Sequence, residues 1–346
     1  MVREEILVLD GAVGGGSVLR VGLGLAIALQ RSVRIVRIRH GRPNPGLQAQ
    51  HLAGLRAAAQ LCQARLEGAQ IGAREIAFYP GSTYTDSLKI QIETAGSVAL
   101  ALQPVQIALA RAGRSVTVEI EGGGTYVQWA SPLAALEHVN FALLGRWGFP
   151  MAVAVEREGF YPKGGARVRA RFGPAQITQA FNFPEQGQLR EIRGLSIASH
   201  HLQKSKVAER QAEAAHRLLS REFSGISIGI ETRYAETLSP GSAVVLWADC
   251  EKTILGGDAL GERGVSAESV GERAALSLVS ELRSGATLDC HMADQIIPFL
   301  ALFGGRFFCA ELTDHIKTNI WVAEQLTGKR FIVTERAGIW KICCSG

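Results

Sequence analysis

The chain has 346 residues, of which 47% are hydrophobic and 20% are charged, and its formal net charge is +5. This composition excludes a disordered chain and predicts a globular protein with a large core and two domains. The mild positive charge is compatible with a nucleic-acid partner without requiring one. The most apolar stretch, 21–29, is too short to span a membrane, and the N-terminus lacks the layout of a signal peptide. We therefore expect a cytoplasmic protein without a membrane segment.

The first predicted elements are a strand at 6–9 and a small-residue helix at 17–29, separated by a run of glycines that ends at Gly16. Ser17 is expected to cap this helix. The glycine spacing does not match G-x-G-x-x-G, and no Walker lysine follows, so both nucleotide-binding fingerprints are rejected. A sterically open approach to a phosphate is still compatible with the run, with Arg20 one helical turn further on.

Two arginines, Arg39 and Arg42, lie in a segment whose prolines and glycines disfavour helix and sheet. A β-branched run at 33–38 precedes this segment and a helical pattern at 47–64 follows it, which predicts a strand-to-helix loop. Two interpretations are equally compatible with this pattern. The loop is either an exposed basic turn, or an anion site in which the arginines flank a helix N-terminus.

Three segments begin with Ser-Val and continue as small-residue helices, starting at Ser17, Ser97 and Ser269. After each of them we expect a strand, a loop and a second helix. The strands are expected at 33–38, 116–120 and 306–310, and the second helices at 47–64, 132–144 and 315–326. The sequence therefore predicts an α/β (α+β) fold with three repeated units of paired helices on a small four-stranded sheet. The predicted body comprises 1–180 and 265–346, and a smaller inserted α/β domain comprises 181–264.

His315 has the most suggestive setting of the eight histidines, because it begins the helix of the third predicted unit. A helix N-terminus lowers the pKa of an imidazole and so favours its neutral, nucleophilic form. A histidine that attacks phosphorus needs nearby cations, and Arg39 and Arg42 lie on the corresponding loop of the first unit. The alternative is a histidine that only caps or packs the helix.

Several motifs occur in order along nearly the whole chain. They are Asp10-Gly-Ala before the glycine run, Arg39-x-Gly-Arg-x-x-Pro-Gly-Leu47, Gln50-His51, Ala95-Gly-Ser97, Gly159-Phe-Tyr-Pro-Lys-Gly-Gly165, Ser266-Ala-Glu268, Ala293-Asp-Gln295 and His315-x-x-Thr318-Asn319. In this combination the chain resembles the RNA 3′-terminal-phosphate cyclases. The resemblance implies a three-repeat body with an inserted domain.

The resemblance also implies a reaction in three steps. The histidine that corresponds to His315 attacks the α-phosphorus of ATP, AMP passes to an RNA 3′-phosphate end, and the vicinal 2′-OH closes the 2′,3′-cyclic phosphate. The implied cofactors are ATP and either Mg²⁺ or Mn²⁺. A homodimer is compatible with the resemblance but is not required by it. By position, the resemblance assigns nucleotide contacts to Gln103, His291, Met292, Ala293, Asp294 and Gln295, phosphate contacts to Arg20, Arg39, Arg42, Gln50 and His51, and a metal-binding role to Asp294.

One departure from the family pattern lies in the glycine run. A glutamate that helps to hold the divalent metal is expected there, but the run is shorter and Val13 stands nearest to that place. Loss of a carboxylate weakens a Mg²⁺ site. This departure favours a slow enzyme or a non-catalytic, cyclase-like RNA-binding protein, whereas His315 favours an active enzyme. An enolpyruvyl-type transferase shares the repeat pattern but does not account for His315.

Overall fold

The computed structural model describes residues 6–345. It contains four sheets of four strands each, with helices packed on them, so the predicted mixed α/β class is confirmed. Three of the sheets share one strand order, in which a parallel pair is extended by two antiparallel strands. This common order is consistent with the predicted threefold repeat.

The first sheet is built from the N-terminal part of the chain. Its elements are β1 (Leu7–Asp10), α1 (Gly16–Leu29), β2 (Val33–Val36), α2 (Ala49–Cys62), β3 (Arg65–Glu67) and β4 (Ile76–Tyr79). The strands lie in the order β1-β2-β4-β3. Helix α1 consists almost entirely of apolar and small residues and is buried along most of its length, as a helix without a polar face must be.

The second sheet has the same order, β5-β6-β8-β7. Its elements are β5 (Ser87–Ser97), α3 (Val98–Leu109), β6 (Val116–Gly124), α4 (Leu133–Ala135), a π-helical turn (Leu136–Phe141), α5 (Ala142–Arg146), β7 (Met151–Arg157) and β8 (Arg167–Phe172). Buried and exposed residues alternate along β8, because one face of this mixed sheet covers the core and the other faces solvent. The π-helical turn inserts an extra residue into the helix and rotates the side chains that follow it.

The inserted domain follows a two-residue strand, β9 (Phe181–Asn182). Its elements are β10 (Leu189–Ser199), a 3₁₀ turn (His200–Ser205), α6 (Val207–Glu222), β11 (Ser227–Ala235), β12 (Ser242–Cys250), β13 (Ile254–Leu260) and α7 (Ala267–Ser284). The strand order in its sheet is β11-β10-β12-β13. Helices α6 and α7 pack together on one face of this sheet and form a separate hydrophobic cluster with it.

The third sheet is completed after the insertion, in the order β15-β16-β14-β9. The remaining elements are α8 (Cys290–Gln295), α9 (Ile297–Phe303), β14 (Gly305–Cys309), α10 (Asp314–Thr327), β15 (Phe331–Arg336) and β16 (Ile339–Cys344). Strand β9 pairs with β14 in parallel, so Phe181 and Asn182 belong to this sheet although more than a hundred residues separate the two strands.

The helix after Ser269 was predicted to open the third unit, and this prediction is wrong. That helix is α7, whose buried residues, including Val270, Ala274 and Leu278, pack in the core of the inserted domain. The short helices α8 and α9 occupy the place before β14 instead. The predicted ranges 1–180, 181–264 and 265–346 stay predictions, but the strand pairing and helix packing favour an inserted domain that runs from about 184 to 286.

The three predicted serine caps have different outcomes. Ser97 caps α3, since its hydroxyl accepts a hydrogen bond from the Leu100 N–H at 3.2 Å. Ser17 lies inside α1, whose N-cap is Gly15 in the left-handed region (φ 60°). Ser269 donates its backbone N–H to Ser266, which is the N-cap of α7.

Helix α1 packs against both α3 and α10. Helix α1 is therefore the element at which helices of the first, second and third sheets meet. Within residues 6–345, no helix combines the length and the apolar content that crossing a lipid bilayer requires.

Candidate active site

A chain of hydrogen bonds crosses the junction of α1, α3 and α10. Arg20 Nε donates to Gln103 Oε1 at 2.8 Å, and Arg20 Nη2 donates to Ser17 Oγ at 3.3 Å. Ser17 Oγ lies 3.1 Å from His315 Nδ1. Ser17 and Arg20 are three residues apart on α1 and therefore share one face of the helix. These hydrogen bonds fix the positions of Arg20 and His315, which come from distant parts of the sequence.

His315 lies in the first turn of α10, as predicted. Thr313 caps this helix, because its hydroxyl accepts from the Ile316 N–H at 3.2 Å. Burial and the charges of Arg20 and Arg42 lower the pKa of His315 below its usual value, so the imidazole is neutral at pH 7. In the tautomer whose Nδ1–H donates to the Ser17 hydroxyl, the lone pair of Nε2 is free to act as a nucleophile.

The glycine run ahead of α1 lies against the same group of side chains. A Cβ atom at Gly14 would overlap the Thr318 side chain, with the nearest atom at 2.0 Å. A Cβ atom at Gly16 would lie 2.8 Å from Arg20 Nη1 and 3.0 Å from His51 Nε2. The overlap with Thr318 leaves no room for a side chain at Gly14, whereas a side chain at Gly16 would displace those of Arg20 and His51. The run leaves the backbone exposed beside Arg20 and His51, where an anion can approach it.

The arginine loop lies between β2 and α2 and contains no regular structure, as predicted. Arg39 has a left-handed backbone (φ 53°), and its guanidinium donates to the carbonyl oxygens of Asn44 and Gly46 within the loop. Burial and the charge of Arg42 lower the pKa of Arg39. Arg42 is exposed, and its charge acts on His315. These placements favour the anion site over the exposed basic turn.

His51, on the first turn of α2, is buried, with 9% of its surface exposed, and its Nδ1 has no hydrogen-bond partner. Burial, then the charges of Arg20 and Arg39, lower its pKa from 6.5 to about 4. The ring is therefore neutral at pH 7, and its Nε2 lies on the side of Gly16. Gln50, its neighbour, is exposed and lies against Gly96.

The low pKa of His51 predicts a pH dependence of stability. The unfolded chain takes up this proton near pH 6.5 and the folded chain only near pH 4, so the stabilising contribution is complete above pH 6.5 and is lost as the pH falls through that interval. The difference amounts to about 3 kcal/mol. We expect His51→Asn to flatten the decline of the thermal midpoint between pH 7 and pH 4, measured by circular dichroism. An unchanged decline would contradict this assignment.

Asp294, at the end of α8, is a half-buried carboxylate near the junction. Burial raises its pKa to about 7, although the charges of His291 and Arg20 oppose the shift. Asn319 of α10 donates its side-chain N–H to the Asp294 carbonyl oxygen at 2.8 Å and is itself buried. A carboxylate with such a pKa gains from a nearby cation, so Asp294 fits the metal-binding role that was predicted for it.

Residues 6–345 contain no group of three or more His, Cys, Asp and Glu side chains arranged to hold a metal ion. This agrees with the way Mg²⁺ binds in many nucleotide sites, where one or two carboxylates act together with the phosphates of the substrate. The protein side chains among the described residues do not form a metal cage by themselves, so a metal at Asp294 would depend on phosphate oxygens of the substrate.

A pocket beside α8 is bounded by the π-helical turn on one side and by β13 on the other. Asn140 of the turn donates to Gln295 Oε1 at 2.8 Å. His291 is half-exposed in this pocket, and its Nε2 lies 3.3 Å from Asp258 Oδ1 of β13. Burial opposes protonation of His291, but the hydrogen bond and charge of Asp258, with Asp289 and Asp294 nearby, raise its pKa to about 9.

The residues predicted to contact the nucleotide differ in whether their side chains reach this pocket or pack in the core. Met292 is 1% exposed and lies next to the side chain of Asn140, and Ala293 is completely buried. Their side chains pack in the core of the body. Their predicted role stays a prediction, and for Ala293 it is restricted to the backbone. Gln295 and His291 have polar groups on the pocket wall.

A sequence model described as RNA 3′-terminal phosphate cyclase matches residues 12–333. The chain belongs to this family. A cyclase of this name from Thermococcus onnurineus is 40% identical over 96% of the chain and 97% of its own length. The cyclase from Methanosarcina barkeri is 39% identical over 98% of the chain and 100% of its own length. The cyclase from Methanopyrus kandleri is 42% identical over 93% of the chain and 93% of its own length.

In this member of the cyclase family, three residues near the site were missed at the sequence level. Ser17 was assigned to a helix cap, although its spacing from Arg20 places the two on one face of α1. Asn140 and Asp258 carry no local signal, since the first depends on a π-helical turn and the second on the docking of the inserted domain.

Proposed function

We propose that the protein converts an RNA 3′-phosphate to a 2′,3′-cyclic phosphate at the expense of ATP, which becomes AMP and pyrophosphate. The observation that carries this proposal is His315, neutral and fixed through Nδ1 to Ser17, with Arg20 and Arg42 close enough to lower its pKa. A histidine that only caps a helix has no need of this cationic surrounding.

The reaction has three steps that balance in atoms and charge. His315 Nε2 attacks the α-phosphorus of ATP, so a P–N bond forms while the P–O bond to pyrophosphate breaks. An oxygen of the RNA 3′-phosphate then attacks the phosphorus of the histidine-bound AMP, and the P–N bond breaks. Finally the vicinal 2′-oxygen attacks the 3′-phosphorus, AMP leaves, and the hydroxyl proton passes to solvent. The last step requires a 2′-OH, so RNA and not DNA is the productive substrate.

Arg20, Arg39, Arg42, Gln50 and His51 are proposed to bind the phosphates. Arg20 is fixed by Gln103 and Ser17 before any substrate arrives. Burial lowers the pKa of Arg20 to about 10, so the partly buried guanidinium is still protonated at pH 7 and interacts with an anion more strongly than a fully solvated one would. We assign nucleotide contacts to His291 and Gln295, which line the small pocket beside α8, and to Asp294 at the end of α8, with Asn140 orienting Gln295.

A divalent metal, Mg²⁺ or Mn²⁺, is proposed to be held by Asp294 together with phosphate oxygens. When bound, it neutralises negative charge on the phosphates. Val13, which stands nearest to the place of the family's glutamate, is 47% exposed in the loop before α1. The metal requirement of this chain is therefore expected to be higher than that of a chain with the carboxylate, with a preference for Mn²⁺.

Val13→Glu is expected to lower the Mg²⁺ concentration that gives half-maximal adenylation by several-fold, because the exposed position can add a carboxylate to the metal site. The measurement is a metal titration of the first step with labelled ATP. Val13→Gln is the matched control, since it adds similar volume without charge. Equal metal dependence in the two variants and the parent would contradict the prediction.

A non-catalytic RNA-binding member of the family is the second candidate, favoured by Val13 alone. The two candidates differ in product formation. A purified RNA with a 3′-phosphate, incubated with ATP and metal, should give a phosphatase-resistant end that acid converts back to a phosphatase-sensitive one. An otherwise identical RNA with a 2′-deoxy end should give none. Binding of the first RNA without any conversion, with either metal, would support the binding protein instead.

A further inference from the structure

The inserted domain contacts the body directly beside the proposed nucleotide pocket. Strand β13 of the inserted domain supplies Gly256, Gly257 and Asp258 to the pocket wall, opposite the residues of the π-helical turn. Helix α8, which carries His291 and Asp294, begins only a few residues after α7 of the inserted domain ends. The pocket is therefore formed at a boundary between two packing units and depends on how they are joined.

Asp289 is the first of two polar links across this boundary. Its Oδ1 accepts from the backbone N–H groups of His291 and Met292, at 3.0 and 2.8 Å, and so caps α8. Its Oδ2 accepts from the Gly256 N–H of β13 at 2.8 Å. One buried carboxylate, 3% exposed, thus holds the start of α8 and the edge of the inserted sheet in a fixed relation.

The ion pair between His291 and Asp258 is the second link. His291 is largely accessible, with 47% of its side-chain surface exposed, whereas Asp258 is 17% exposed and projects from β13. The ring of His291 can turn about its χ angles, since its outer side faces solvent. The Asp258 carboxylate, whose Oδ1 lies 3.3 Å from Nε2, attracts the ring as an ion pair and so favours the orientation in which it lines the pocket.

We propose that Asp258 is a positioning residue for ATP binding: it fixes the His291 ring at the wall of the nucleotide pocket from the inserted domain. This inference rests on the proposed function and assigns part of its nucleotide site to the insertion. Asp258 acts through His291, so its loss should weaken the binding of ATP while the chemistry at His315 continues once ATP is bound. The adenylation rate at saturating ATP should therefore be almost unchanged.

The test uses three variants of the full chain. Asp258→Asn removes the charge of the ion pair, and Asp258→Glu keeps it on a longer side chain. Asp249→Asn is the matched control, because Arg146 Nη2 lies 2.6 Å from Asp249 Oδ1 in another ion pair between the body and the inserted domain. The dissociation constant for ATP is measured by calorimetry in a His315→Ala background, where no adduct forms. Adenylation rates are measured separately with His315 present.

We expect Asp258→Asn to raise the dissociation constant for ATP about fivefold, the usual effect of one partly exposed, charge-assisted contact. The adenylation rate at saturating ATP should stay within about twofold of the parent, and Asp258→Glu should recover part of the affinity. Asp249→Asn should leave the affinity unchanged.

An unchanged affinity in Asp258→Asn would overturn the positioning role. So would an equal loss of affinity in Asp249→Asn, since this would indicate a general effect of domain docking. If the His315→Ala protein binds ATP and Asp258→Asn does not change that affinity, the positioning role is wrong and the proposed function stands. If the His315→Ala protein binds no ATP at all, both the positioning role and the proposed function are wrong.

Discussion

Replacing His315 with alanine is expected to reduce RNA cyclisation by at least about a thousandfold, because no other side chain takes over a covalent nucleophile. In the structure, His315 is the imidazole that the Ser17 hydroxyl orients beside Arg20. The measurement is the rate at which a 3′-phosphate RNA acquires a cyclic end at saturating ATP. His315→Gln should be equally inactive, because a glutamine amide can still form hydrogen bonds but cannot attack phosphorus. This variant therefore separates the loss of the nucleophile from the loss of a hydrogen bond.

His216→Ala is the control for this experiment. His216 lies on α6 of the inserted domain and also has a serine hydroxyl, that of Ser220, 3.3 Å from its Nδ1. Its substitution should leave cyclisation within about twofold of the parent. A second control uses RNA that already carries AMP on its 3′-phosphate. Since the final step needs no histidine nucleophile, His315→Ala should still cyclise this RNA, and failure to do so would indicate that the variant is misfolded.

Arg20 is expected to have the second largest effect. Arg20→Ala removes a partly buried cation and the one side-chain hydrogen-bond partner that Gln103 has within residues 6–345, and we expect adenylation to slow by about a hundredfold or more. Arg20→Lys should recover only part of the rate, because an ammonium cannot reproduce the two directed bonds to Gln103 and Ser17. Single-turnover adenylation with labelled ATP measures both.

Loss of Arg20 should also raise the pKa of His315, since the charge of Arg20 contributes to its lowering. The pH at which adenylation reaches half of its maximal rate should therefore move upward in Arg20→Ala, and protonated His315 should be the inactive form below it. Arg56→Ala, on the exposed side of α2, is the control and should change neither rate nor profile. A rate in Arg20→Ala close to that of the parent would contradict the role of Arg20.

Local patterns were sufficient to predict much of the body. The β-branched run before the arginine loop forms β2, and the helical spacing after His315 forms α10, because these signals depend only on neighbouring residues. The helix after Ser269 was placed in the wrong unit for a different reason. An isolated Ser-Val start and an apolar face do not show which sheet a helix covers, and α7 covers the inserted sheet.

The candidate site shows the same division. Arg20, Arg39, Arg42 and His315 stood out through residue type and loop position, and the structure brings them near the N-terminal turn of α1. The hydrogen bonds that orient them could not be predicted, since Ser17 and His315 are 298 residues apart. The contribution of Asp258 depends on the docking of a separate domain, for which the sequence contains no periodic signal.

Transfer of label from ATP to the protein tests the central claim most directly. The chain is incubated with ATP labelled in the α-phosphate and with Mg²⁺ or Mn²⁺, without RNA, and the protein is then treated with acid or alkali. We predict one labelled AMP per active chain, lost in acid and stable in alkali as expected for a P–N bond, located on the peptide that contains His315, and absent in His315→Ala. Absence of label with either metal, or equal label in His315→Ala, would contradict the account.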